Sequence, residues 1–73
     1  MKMLPKKEIK RLKEIYPEGT IVELLSMDDR QAPPPHTYGK VVGVDDIGQI
    51  MMEWDTGSSL SLIPEIDNFR KVK

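Results

Sequence analysis

At Pro17-Glu18-Gly19 the spacing of apolar residues changes from helical to alternating, which commits the chain to a short helix followed by a sheet. Before the change, Leu4, Ile9, Leu12 and Ile15 with Tyr16 recur at helical intervals. Lys6, Lys7, Lys10, Arg11, Lys13 and Glu14 fill much of the remainder, so an amphipathic helix is predicted over about residues 5–16. Pro5 suits its first turn, where an amide hydrogen has no intrahelical use, and Pro17 ends it. No strong side-chain cap marks the start, and the lysines there oppose the helix dipole. A helix this short is marginal alone, so its apolar stripe is expected to pack on the rest of the domain.

After the change, residues 20–27 alternate, with Val22 and Leu24 on one face and Ile21 and Leu25 on the other, under the helix. Residues 28–36 read as a loop, because Pro33, Pro34 and Pro35 cannot supply central-strand hydrogen bonds. A second strand covers 38–45. Val41 and Val44 are an odd distance apart, so both face inward only if a bulge intervenes, and Gly43 tolerates one. Asp45-Asp46-Ile47-Gly48 makes a turn into the cleanest strand, 49–55, where Ile50, Met52 and Trp54 share a face. Met51, Glu53 and Asp55 take the other face, with Met51 placed beneath the helix. Thr56-Gly57 reverses the chain, Leu60 and Leu62 line a fourth strand, and 63–66 make a turn of the tighter helical kind. Residues 68–72 close the sheet around Phe69.

The expectation is therefore a mostly β fold, a small five-stranded antiparallel barrel with an N-terminal amphipathic helix, in one domain spanning residues 1–73. Its core is Val22, Leu24, Val41, Val44, Ile50, Met52, Trp54, Leu60, Leu62 and Phe69. That is about what a chain of 73 residues can bury, and it leaves no room for a large closed cofactor cavity.

Cysteine is absent, which removes disulfides, thiol catalysis and cysteine-bound zinc and fits a reducing cytoplasm. No apolar run is long enough to span a bilayer, and the start lacks the apolar core of a signal peptide. His36 is the one histidine, and no arrangement of Ser26, Ser58, Ser59 and Ser61 marks an activated nucleophile. The chain therefore reads as non-enzymatic. Asp28-Asp29 and Asp45-Asp46 lack calcium-loop spacing and read as turn residues, so no metal site is expected. Gly39-Lys40-Val41-Val42-Gly43 lacks phosphate-loop spacing, and no cofactor is expected.

Charge is segregated. Residues 1–13 carry +5, residues 14–69 carry −9, and Arg70, Lys71 and Lys73 add +3 to give the net −1. Two binding surfaces follow. The first is a protein-binding rim formed by Pro33, Pro34, Pro35, His36 and Tyr38. Proline there lowers the ordering cost, and Tyr38 supplies contact area. Asp28 and Asp29 would steer a basic partner, and Arg30 would pair with a carboxylate. The alternative is a nucleic-acid surface of Lys6, Lys7, Lys10, Arg11 and Lys13 joined by Arg70, Lys71 and Lys73, contacting RNA or DNA phosphates. An exposed edge strand also leaves pairing with a second copy open.

Several stretches carry a resemblance. They are Pro17-Glu18-Gly19-Thr20, Ser26-Met27-Asp28-Asp29, Ala32-Pro33-Pro34-Pro35 and Gly39-Lys40-Val41-Val42-Gly43-Val44-Asp45-Asp46-Ile47-Gly48. Trp54-Asp55-Thr56-Gly57-Ser58, Leu62-Ile63-Pro64 and Asp67-Asn68-Phe69-Arg70-Lys71 complete the set. In these the chain resembles a small bacterial and phage-associated family catalogued as domain-of-unknown-function family 4314. More distantly it is similar to SH3-like barrels of KOW or Tudor type. The first kind implies contacts with RNA or the transcription and translation machinery, the second peptide recognition by an aromatic cage. The turn in the KOW-like position carries Asp45 and Asp46 rather than a basic patch, and Tyr38, Trp54 and Phe69 are the aromatics available for a cage.

Overall fold

A computed structural model of the chain describes residues 5–72; Leu4, expected in the helical stripe, and Lys73 lie outside them. Helix α1 runs Lys6–Ile15, with Pro5 at the cap position. The Pro5 carbonyl accepts from the amides of Glu8 (3.0 Å) and Ile9 (3.1 Å), so backbone serves where a side-chain cap is missing. Ile9 is buried, and Leu12 and Tyr16 pack against the core beside it. Ile15, expected in the same stripe, is 41% exposed. At about 100° per residue, Tyr16 returns almost to the azimuth of Ile9, while Ile15 falls well outside it. The Lys71 ammonium donates to the Ile15 carbonyl (2.9 Å), placing a cation at the negative end of the helix.

Four strands follow, β1 (Ile21–Ser26), β2 (Tyr38–Val44), β3 (Ile50–Trp54) and β4 (Asn68–Lys71). They form one antiparallel sheet in the order β3-β2-β1-β4. The expected bulge is present, since the β2–β3 register shifts between Val41 and Gly43, and both Val41 and Val44 are buried. Gly43 does not have the positive φ that would need a glycine; a Cβ there would come 3.2 Å from the Met51 Cε, so space is its constraint.

Among the described residues the expected fourth strand, at Leu60 and Leu62, is not formed, so the sheet has four strands rather than five. Residues 58–62 lie beside β3, but a single bridge between Ile50 and Leu62 is their ladder. Leu62 exchanges both backbone bonds with Ile50 (2.9 and 2.8 Å), and the Trp54 amide donates to Ser58 (2.9 Å). Between these, the Leu60 carbonyl that a continuous ladder would offer to Met52 accepts instead from the Trp54 indole Nε1 (2.9 Å). A side chain has replaced a rung. Residues 63–67 make a single hydrogen-bonded turn, in which the Ile63 carbonyl accepts from the Ile66 amide at the tighter i+3 spacing (3.0 Å) and from the Asp67 amide (2.8 Å). Buried Asp67 braces this turn by accepting from the Ile63 amide (2.8 Å) and the Asp28 amide (3.4 Å).

Ile9, Val22, Leu24, Val41, Val44, Ile50, Met52, Trp54 and Leu62 form the buried cluster. Phe69 packs partly buried against it, edge-on to Tyr16 with ring centroids 5.7 Å apart, and Leu60 is half-buried. The helix covers this same core-facing side of the sheet. Met51 and Leu25, expected under it, are instead among the exposed apolar residues, with Val42 and Val72. The opposite side of the sheet is open.

Candidate functional site

On β1, Val22 and Leu24 are fully buried, and alternation turns Glu23 to the open side. Its cross-strand partners are Tyr38 on β2 and Arg70 on β4. Glu23 is nevertheless only 7% exposed, because two partners fold over its carboxylate. Arg70 Nε donates to Oε1 at 2.6 Å, and His36 Nδ1 donates to Oε2 at 2.7 Å. Both bonds are charge-assisted. An ionised carboxylate only accepts, so the imidazole proton sits on Nδ1 and Nε2 forms the outward edge. The partners stay accessible, with the His36 side chain 74% and the Arg70 side chain 59% exposed.

The backbone fixes His36 as firmly as the side chain does. The Thr37 amide donates to the Pro34 carbonyl (3.2 Å), closing a four-residue turn with Pro35 second and His36 third. The His36 φ is +72°, the left-handed value that a type II turn requires at this position and that glycine adopts most readily. The His36 amide donates to the Leu24 carbonyl (2.6 Å) and the Leu24 amide to Thr37 (2.9 Å), pinning the turn to β1. A non-glycine residue here costs on the order of 1–3 kcal/mol, and what the imidazole adds is the bond to Glu23.

The His36 hydrogen bond first, and the Arg70 bond second, hold the Glu23 carboxyl below its ordinary value of 4.5, against a weaker upward push from desolvation. A lowered folded-state value stabilises the fold above 4.5, and that contribution is lost as pH falls from there through the folded value. The expected result is an acid limb of stability that is shallower in Glu23→Gln than in the parent. Urea midpoints measured between pH 6 and pH 3 check it; parallel limbs would contradict it.

Of the residues expected at a protein-binding rim, the fold brings His36 and Tyr38 together around Glu23; Tyr38 is 45% exposed. Pro34 and Pro35 are exposed, but Pro33 is buried and faces no partner. Asp28, Asp29 and Arg30 sit at the start of the loop, exposed, where the Asp29 carboxylate accepts from the Gln31 amide (2.8 Å) in a local turn. Asp45 likewise accepts from the Ile47 (3.1 Å) and Gln49 (2.8 Å) amides. Among the described residues, no three metal-ligating side chains gather at one point.

The expected basic surface is divided. Arg70 and Lys71 are neighbours on a strand and point to opposite sides, Arg70 to Glu23 on the open face and Lys71 to the end of α1. Lys6, Lys7, Lys10, Arg11 and Lys13 are exposed, and among the described residues none makes an ion pair. Glu23 itself was not marked by any sequence signal for a site. The one hint is an acid flanked by two core residues in a strand.

No helix among the described residues is long and apolar enough to cross a membrane. No curated protein and no solved structure matches the chain. The model of one family, the domain of unknown function DUF4314, matches residues 5–72, which take in α1, all four strands and the Glu23 cluster. By that match the chain belongs to the DUF4314 family.

Proposed function

We propose that this chain is a non-enzymatic interaction module, a small barrel of the SH3-like type, that binds a protein partner through the 28–38 loop and the adjacent strands. The observation that carries the reading is the preorganised pair of His36 and Arg70 on one buried carboxylate, with exposed Tyr38 opposite Glu23 on the neighbouring strand. Side chains already held in place lose little freedom on binding, and Tyr and Arg are the residue types that most often anchor interfaces. The exposed Val42, Met51 and Val72 extend the same side of the sheet with apolar area. A cage of aromatic rings is not the means, since Trp54 is buried and Tyr16 packs on Phe69. A chain without cysteine suits the reducing cytoplasm, where we place this binding.

The test is capture from a bacterial lysate by the immobilised chain, with and without nuclease, alongside His36→Gly and Tyr38→Ala. Glycine keeps the left-handed turn while deleting the imidazole, so loss of binding there reports the surface rather than the fold. The expected outcome is protein capture that survives nuclease and falls about tenfold or more in both variants, as for an interface anchor. A second reading, nucleic-acid binding by α1, is favoured by its exposed cations, which make no ion pair among the described residues. Capture that depends on nucleic acid, weakens steeply with salt and is unchanged in both variants would establish that reading instead.

A further inference from the structure

We infer that the group this surface recognises is an acidic residue within an extended protein segment, its carboxylate on the Arg70 guanidinium and a backbone N–H on His36 Nε2. The inference rests on the protein-binding reading above and specifies its partner. Arg70 spends only Nε on Glu23, and a guanidinium carries five N–H donors in a rigid fork. The Nη edge is therefore left for a second acceptor, and its orientation is already set by the 2.6 Å bond to Glu23. The 2.7 Å bond between His36 Nδ1 and the other Glu23 oxygen turns Nε2 outward, where it accepts whenever the ring carries a single proton.

One carboxylate thus holds an outward donor pair and an outward acceptor close together. An acidic residue in a peptide offers the complement of both, a carboxylate that accepts and a main-chain N–H that donates. Tyr38 beside Glu23 and Val72 beyond Arg70, both exposed, lie where the neighbouring apolar side chains of such a segment would rest.

A nucleic-acid backbone fits less well. Phosphodiesters have acceptors but no N–H for His36, and strong phosphate binding draws on many cations at once. Here one guanidinium stands on the part of the chain, residues 14–69 and their neighbour, that carries most of the acids. The α1 cations belong to the covered side of the sheet.

The experiment uses the full chain as bait for a displayed random-peptide library. Selected peptides are then synthesised, and their affinities measured for the parent, Arg70→Lys and His36→Gly. Lysine keeps a cation for Glu23 but has no fork, and thermal midpoints confirm that both variants fold. Selected peptides are expected to share an Asp or Glu beside an apolar residue. Exchange of that residue for its amide, and Arg70→Lys in the bait, are each expected to weaken binding about tenfold, the loss of one charge-assisted pair. Peptides without acidic enrichment whose binding still fails in His36→Gly would overturn the carboxylate assignment and leave the protein-binding surface standing. Peptides that bind all three baits equally, or a library without binders alongside tight binding of a single-stranded oligonucleotide, would overturn both.

Discussion

Trp54→Ala is expected to leave the domain largely unfolded at 25 °C. Trp54 is 3% exposed in the buried cluster, and truncating a buried tryptophan costs about 3–5 kcal/mol. One core in a chain of this size supplies about the same amount in total. The loss is compounded because the indole Nε1 also holds the Leu60 carbonyl, the contact that keeps residues 58–62 against β3. Far-ultraviolet circular dichroism through a urea series reads the outcome, and a cooperative transition with a parent-like midpoint would contradict it. Trp54→Phe separates the two contributions. It keeps most of the ring and deletes the donor, so a loss of about 1 kcal/mol is expected.

Gly39→Ala is expected to be the most damaging single-methyl addition among the glycines. Gly39 lies directly across the β2–β3 ladder from Trp54, and the indole occupies the space above it. A Cβ at Gly39 would stand 2.5 Å from Trp54 Cε3, 2.9 Å from Cδ2 and 3.0 Å from Met52 Cε. The ring cannot yield without leaving the Leu60 carbonyl. Forcing extra volume into a packed core costs about 1–3 kcal/mol. In a domain of this length each kcal/mol lowers the thermal midpoint by about 4–8 °C. The cost is expected to shrink when Trp54 is already Leu, and a double-mutant cycle on thermal midpoints measures that coupling. By contrast a Cβ at Gly19 or Gly57 meets nothing within 4 Å, so any cost there comes from the backbone alone.

What could be read from the sequence was whatever depends on short-range periodicity. The 5–16 helix, the inward trio Ile50, Met52 and Trp54, and the bulge demanded by Val41 and Val44 all follow from spacing within a few residues. Errors began where a distant partner decides the outcome. Leu60 and Leu62 alternate as a strand should, but the indole of Trp54 takes the rung that would have made one. Pro33 looked like rim and is buried, because three consecutive prolines carry no signal for which of them turns inward.

The site was half legible for the same reason. His36 and Tyr38 stood out as exposed recognition residues in a stiff loop. Glu23 did not, since its partners lie 13 and 47 positions away and only the β2-β1-β4 order brings them together. Arg70 was grouped with Lys71 by sequence and is separated from it by the pleat of one strand.

The central position of β1 has a consequence for how the chain acquires this arrangement. β1 is flanked by β2 on one edge and by β4 on the other. During synthesis the helix, β1, β2 and β3 emerge first, and β1 waits with one edge bare until residues 68–71 follow. Closing that long loop is entropically slow relative to the local hairpins. A nascent chain halted just before residue 68 is therefore exposed to strand pairing with its neighbours on the same message, and the Glu23 carboxylate is still without Arg70. Docking of residues 68–71 on β1 completes the sheet and brings Arg70 to the Glu23 carboxylate.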